Sequence, residues 1–342
     1  MLNTIKAVCV IIGTIIGAGF ASGKEIYLFF NTYGEKGILG IIIASILTGI
    51  IIYKVLMQIR KVEANSYKDY LNQMKIKPFI KDVLNIIINI FLFMSFYIMI
   101  AGFCAYFKQE FNIPTIITGS GVSLMCYITF MNHIEGVTKI NTILIPFLIL
   151  MIVLIGIKVG RTEFKETTAE ITTKTNWILS SLEYASYNSI LLIPMLIGLK
   201  KYTNQKERNI AIITSSIFVV LAVILYKILQ TGGGTIQNVE LPLIYIVNKF
   251  GNVYKYICGI VIVSAIYTSA IAAGYSFVQN CSKSKKTYKK ICIFLCIFAI
   301  PISKLGFSYL VTLLYPVFGM LGLIQVIYIV FTRKRVEKKS KN

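Results

Sequence analysis

The residues best equipped for chemistry lie inside apolar sequence. The stretch Ile12-Gly13-Thr14-Ile15-Ile16-Gly17-Ala18-Gly19-Phe20-Ala21-Ser22-Gly23-Lys24-Glu25 carries four glycines, a serine and two charges. Each glycine in a helix interior costs about 1 kcal/mol against alanine, so the spacing predicts an interrupted helix. The carbonyls and N–H groups that an interruption frees can coordinate an ion or a carboxylate. Small residues also permit close helix packing, which accounts for the glycines but not for Lys24 and Glu25. Charges at that depth face a cavity or a partner rather than lipid. A nucleotide-binding loop is set aside because no strand precedes the glycines.

A second polar concentration reads Ser180-Ser181-Leu182-Glu183-Tyr184-Ala185-Ser186-Tyr187-Asn188-Ser189. In hydrocarbon such a stretch is tolerated only against a wet or protein-filled cavity. Glu183 is its carboxylate, and the nearby Trp177 and Lys174 leave an interfacial position open as the alternative. A third feature is the pair Thr268-Ser269 within Ser264–Ala270. Two adjacent hydroxyls, with backbone carbonyls, suit a small cation such as Na⁺, because such oxygens replace its hydration shell. Hydroxyls in membrane helices also bond back to their own backbone.

Other reactive residues point nowhere in particular. The seven cysteines form no CxxC pair, so neither a zinc site nor a disulfide framework is expected. Cys292 and Cys296 share a helix face, which reads as packing. His133 is the single histidine and falls in a connection, where solvation is the simpler reading. No His-rich metal spacing or Ser/His and Ser/Lys pairing suggests an intramembrane enzyme, and no cofactor is expected.

The elements that position these residues follow from composition. The 342 residues are 56% hydrophobic and only 14% charged, with mean hydropathy +0.74; soluble domains carry about 25% charge. Continuous apolar blocks fall at about 5–31, 37–59, 79–107, 112–131, 138–159, 177–199, 208–230, 253–280, 287–303 and 306–331. Their lengths match a bilayer core. Without period-two alternation they read as helices, giving an all-α integral membrane protein with about ten transmembrane helices. The segment 240–250 is short and amphipathic and is expected on the surface. A signal peptide at the start is disfavoured because nine further apolar blocks follow.

The net charge of +21 invites a nucleic-acid reading, but the basic residues alternate between loops instead of lining one face. The connections 60–81, 200–208 and 283–290 and the tail 332–342 are the most basic. The positive-inside rule then places both termini in the cytoplasm. The expected partners are the lipid bilayer and a small-molecule solute, with no nucleic acid. The whole chain, 1–342, reads as one transmembrane domain. Five spans in about 1–160 and five in about 177–331 make two halves of opposite orientation, an inverted repeat that puts the first and sixth spans in matching positions.

The segment Gly13–Gly19 resembles the first-span signature of the LeuT-fold amino acid–polyamine–cation transporter superfamily. More closely, Ile16–Glu25 is similar to the start of the bacterial YkvI family of membrane proteins. The resemblance implies a LeuT-like 5+5 inverted repeat with broken helices 1 and 6, in a bacterial plasma membrane. It implies a secondary active transporter of an amino acid or related amine, coupled to Na⁺. The Na⁺ ligands it implies are the Gly13, Ile16 and Ala265 carbonyls and the Thr268 and Ser269 hydroxyls. The solute would lie against Gly17, Ala18 and Gly19, facing Glu183, Tyr184, Ser186, Tyr187 and Asn188, with Tyr97 and Phe103 on the third span. Lys24 and Glu25 depart from simple neutral-amino-acid carriers and read as gating or coupling charges. The alternative on the same scaffold is a nutrient-sensing receptor subunit, similar to a germinant receptor, that binds without net transport.

Overall fold

The computed structural model describes residues 2–61, 66–72, 77–161, 176–203, 205–236, 241–302 and 307–331. The connection 162–175 and the basic tail 332–342 lie outside the described residues. All regular structure described is helical: α1 (Leu2–Ile15), α2 (Ala18–Ala21), α3 (Lys24–Phe29), α4 (Lys36–Lys61), α5 (Tyr67–Asn72), α6 (Pro78–Phe111), α7 (Thr115–Met131), α8 (His133–Gly160), α9 (Trp177–Gly198), α10 (Lys200–Thr203), α11 (Glu207–Gln230), α12 (Pro242–Val247), α13 (Asn252–Cys281), α14 (Lys285–Ile302) and α15 (Phe307–Phe331). Each apolar block of the sequence holds one long helix, apart from the first, which holds three pieces. Among the described residues, α4, α6, α8, α11 and α13 are long and apolar enough to cross a membrane, with shorter apolar helices beside them.

The first span breaks where the glycines are. The Gly17 N–H turns to the Ile15 carbonyl at 3.0 Å, and Gly17 itself is extended, with φ −87° and ψ −171°. After the single turn of α2 the chain reverses pitch at Gly23, whose φ of +83° is in the left-handed region that glycine adopts without a Cβ penalty. A Cβ there would also stand 2.8 Å from Leu229 Cδ2.

The sixth span differs from expectation. The α9 helix runs unbroken from Trp177 to Gly198, with Pro194 inside it. The polar residues read as signs of unwinding are satisfied by the helix they belong to. Ser181 Oγ donates to the Trp177 carbonyl at 2.8 Å, Asn188 Nδ2 to the Tyr184 carbonyl at 3.0 Å and Ser189 Oγ to the Ser186 carbonyl at 2.6 Å. Such back-bonding meets the polar side chain's need for a partner without freeing the backbone.

The segment near 240–250 is also placed differently. Pro242, Leu243, Ile244, Ile246 and Val247 of α12 are buried, and the Leu243 N–H donates to the Ser22 carbonyl at 2.9 Å. This connection braces the break in the first span rather than lying on the surface.

The broadest helix interfaces are α6 with α13, α4 with both α9 and α11, and α9 with α15. The outer faces of α4 and α8 leave Leu39, Ile42, Ile46, Ile50, Ile143, Leu150 and Leu154 exposed. That much apolar surface fits contact with lipid, not water. The α13 helix lies inside the bundle, buried at almost every position from Ser264 to Ser276. His133 is exposed at the start of α8, its ring 4.4 Å from that of Tyr288. The seven cysteines are free, and Cys292 and Cys296 are buried.

Candidate functional site

Two polar clusters meet at the first-span break. The first joins α1 to α13. Ser269 Oγ reaches the Gly13 carbonyl at 3.2 Å and the Ile16 carbonyl at 3.3 Å. Gly13 is free to accept because the Gly17 N–H, its normal helical partner, has turned to Ile15. One hydroxyl proton cannot serve two carbonyls well, and both contacts are longer than the usual O–H···O distance of about 2.7–2.8 Å. The result is a buried, oxygen-rich point with few donors. Thr268 Oγ1, one position away, donates back to the Ala265 carbonyl at 3.0 Å. Ser269 thereby meets Gly13 and Ile16 across the two segments, while the bond of Thr268 to Ala265 stays within α13; Thr268 and Ser269 are almost fully buried. Gly17 completes the contact: a Cβ there would lie 3.3 Å from Ser269 Oγ and 3.7 Å from Met99 Cε.

The second cluster joins α2 and α3 to α9. Glu25 is 2% exposed, and its carboxylate folds back over Gly19, where any Cβ would overlap it. Tyr184 donates its hydroxyl to Glu25 Oε2 at 3.4 Å. The Tyr184 ring is held edge-on by Phe29 and Phe30 at 5.2 and 5.1 Å and stacked on Phe218 at 5.8 Å. Ser22 closes the turn by donating to the Gly19 carbonyl at 3.1 Å and accepting from the Lys24 N–H at 3.4 Å. A buried carboxylate beside a cage of aromatic rings is suited to a cationic group, through charge and through the ring faces. Ala18, at the start of α2, is buried, and Asn188 is one turn from Tyr184 on the same face of α9.

Not every expected residue joins them. Glu183 is half-buried and makes no hydrogen bond or ion pair among the described residues; the carboxylate that meets Tyr184 is that of Glu25. Successive helix residues are turned about 100° apart, so Glu183 and Tyr184 cannot share a face. On the third span, α6, Met99 is the residue that meets Gly17. Tyr97, two positions away, faces about 200° round the helix and packs on Phe93 and Phe96 at 4.6 and 5.5 Å. Phe103, one turn beyond Met99, keeps the inward face and is 9% exposed. Tyr187 turns to α6, with its ring 6.1 Å from Phe91, and the Ser186 carbonyl lies against Gly322 of α15. Lys24 is half-buried at the start of α3. Met99 carries no signal that sequence reasoning could use. Asn141 of α8, an amide fully buried beside Gly13, could have been noticed as a polar residue on an apolar span.

No protein-family model matches the chain. It is similar to two proteins of Bacillus subtilis (strain 168). One is the uncharacterised protein YyaD, 27% identical over 325 residues, covering 93% of each chain. The other is the uncharacterised membrane protein YkvI, 24% identical over 324 residues, covering 92% of this chain and 91% of the relative. Among solved structures, a Na⁺-coupled sialic acid symporter in a substrate-bound outward-open state superposes with TM-score 0.68 at 16% identity, covering 96% of this chain and 79% of the other. MhsT in complex with L-phenylalanine gives 0.61 at 14% identity, covering 96% and 95%. A manganese transporter of Eremococcus coleocola gives 0.55 at 11%, covering 96% and 76%. The YkvI-type resemblance thus extends over nearly the whole chain, and the fold is the LeuT fold of a multi-pass membrane protein.

Proposed function

We propose that the protein is a secondary transporter that carries a small amine-bearing solute, such as an amino acid, together with Na⁺. The observation that carries this reading is the Ser269 hydroxyl spanning the Gly13 and Ile16 carbonyls at a break in the first span. These groups, with the Ala265 carbonyl and Thr268 hydroxyl, make an uncharged oxygen set that fits a small monovalent cation. Among the described residues no cluster of His, Cys, Asp and Glu suits a transition metal. The solute's ammonium group meets Glu25 and the Tyr184 ring, and its carboxylate meets backbone N–H groups near Gly17–Gly19. Because α2 links the cation cluster to the carboxylate cluster in a few residues, occupancy of one favours the arrangement the other needs. That shared preference is the physical content of coupling. In this reading α1, α4, α9 and α11 rock against α6, α7, α13 and α14 about the site.

The test is thermal stability of the detergent-purified protein across amino acids and amines, in NaCl against choline chloride. A ligand at 100 times its dissociation constant stabilises the folded state by about 2.7 kcal/mol. The expected result is an upward shift that requires both Na⁺ and one class of solute. An equal solute shift in choline removes the Na⁺ assignment, and no shift with any solute removes the amine assignment.

A further inference from the structure

The fifth span, α8, presents an unpartnered oxygen at the cation cluster. Asn141 is fully buried. Its Nδ2 donates to the Val137 carbonyl at 2.9 Å, which fixes the amide's orientation and leaves Oδ1 as the free acceptor. No donor reaches that oxygen. It rests directly on Gly13, where a Cβ of any other residue would overlap it, with Ile145 Cδ1 beside it. Gly13 is also the residue whose carbonyl Ser269 reaches from the other side. One turn before Asn141 on the same helix, Thr138 Oγ1 is likewise buried without a partner. Buried acceptors are normally satisfied, and an amide oxygen that accepts from nothing while resting on Gly13, beside an already donor-poor cluster, suits a cation.

We infer that Asn141 is a ligand of the cation site, so that the site is assembled from the first, fifth and eighth spans. The inference rests on the Na⁺ reading above. Its chemistry is that of a neutral amide oxygen, which adds coordination without adding charge and so keeps the site suited to a monovalent ion. Its mechanical consequence is that the ion, when bound, ties α8 to α1 at the break. With the ion gone, the Asn141 oxygen has only the Gly13 Cα–H to face, a far weaker contact, and the α1–α8 contact loosens.

The experiment measures the Na⁺ concentration for half-maximal thermal stabilisation, with no solute, against a choline baseline. Asn141→Leu keeps the volume and removes the oxygen. It is expected to raise the half-saturating Na⁺ concentration at least tenfold while leaving the choline melting temperature unchanged or higher, because an unsatisfied polar group has been removed. A residue with only a structural role would instead lower the choline melting temperature and leave the Na⁺ response unchanged. Asn141→Asp adds charge at the same atom and is expected to lower the half-saturating concentration. It carries the test alone if the leucine variant does not fold. A wild-type response to Na⁺ that both variants reproduce unchanged overturns this inference and leaves the Na⁺ site standing. A wild-type protein indifferent to Na⁺ overturns both.

Discussion

At the scale of single residues, the decisive fact is how closely side chains approach glycines at the break. Gly13 admits Asn141, Gly17 admits Ser269 and Met99, and Gly19 admits Glu25. The glycines were legible in the sequence as breakers of a helix. Their partners were legible only in part. Ser269 was marked by its neighbour Thr268, and Glu25 by its charge. Met99 was not marked, because contact across helices depends on rotational phase, and a span apolar on nearly all sides fixes no phase; Asn141 carried only the signal of a polar residue on an apolar span. The Glu25 cluster yields a direct expectation. Replacing Glu25 by Gln keeps the shape and removes the charge; a hydrogen bond to a charged group contributes about 1.5–3 kcal/mol. Apparent affinity for an amine solute should fall roughly tenfold or more, with the melting temperature in ligand-free choline buffer preserved. Gly19→Ala should weaken the same response by displacing the carboxylate. Equal solute affinity in Glu25→Gln and wild type would take the ammonium away from Glu25.

At the scale of elements, two polar stretches of similar appearance fold differently. The first span contains glycines, which leave no side chain to shield or bond the backbone, and it breaks. The sixth contains serines and an asparagine, which bond back to carbonyls three or four residues earlier, and it stays helical. Composition alone recorded both as costly in hydrocarbon and could not separate the two outcomes. The turn at Gly23 has a consequence for stability. A non-glycine residue in the left-handed region costs about 1–2 kcal/mol, and a Cβ there would press on Leu229. Gly23→Ala should therefore lower the melting temperature by several degrees, given roughly 2–4 °C per kcal/mol in larger domains. An unchanged melting temperature would show that α2 and α3 can be joined without that turn.

At the scale of the whole molecule, the positions of the long helices were nearly all readable, because bilayer thickness imposes a length that hydropathy reports directly. The arrangement of those helices was not readable from hydropathy and came from the resemblance of Ile16–Glu25 and of the layout to a known fold. Solved structures of that fold superpose over 96% of the chain, and the first span is broken as expected, whereas the sixth stays one helix. The same architecture can serve a carrier or a receptor, since both must bind a solute; only flux separates them. The most direct test reconstitutes the protein in liposomes and follows a radiolabelled solute chosen from the stability panel, with an inward Na⁺ gradient, with equal Na⁺ on both sides, and with Ser269→Ala in place of wild type. The account expects accumulation above equilibrium only under the Na⁺ gradient, and loss of that accumulation in Ser269→Ala. Solute binding without accumulation under any gradient, or accumulation that Ser269→Ala leaves untouched, would contradict it.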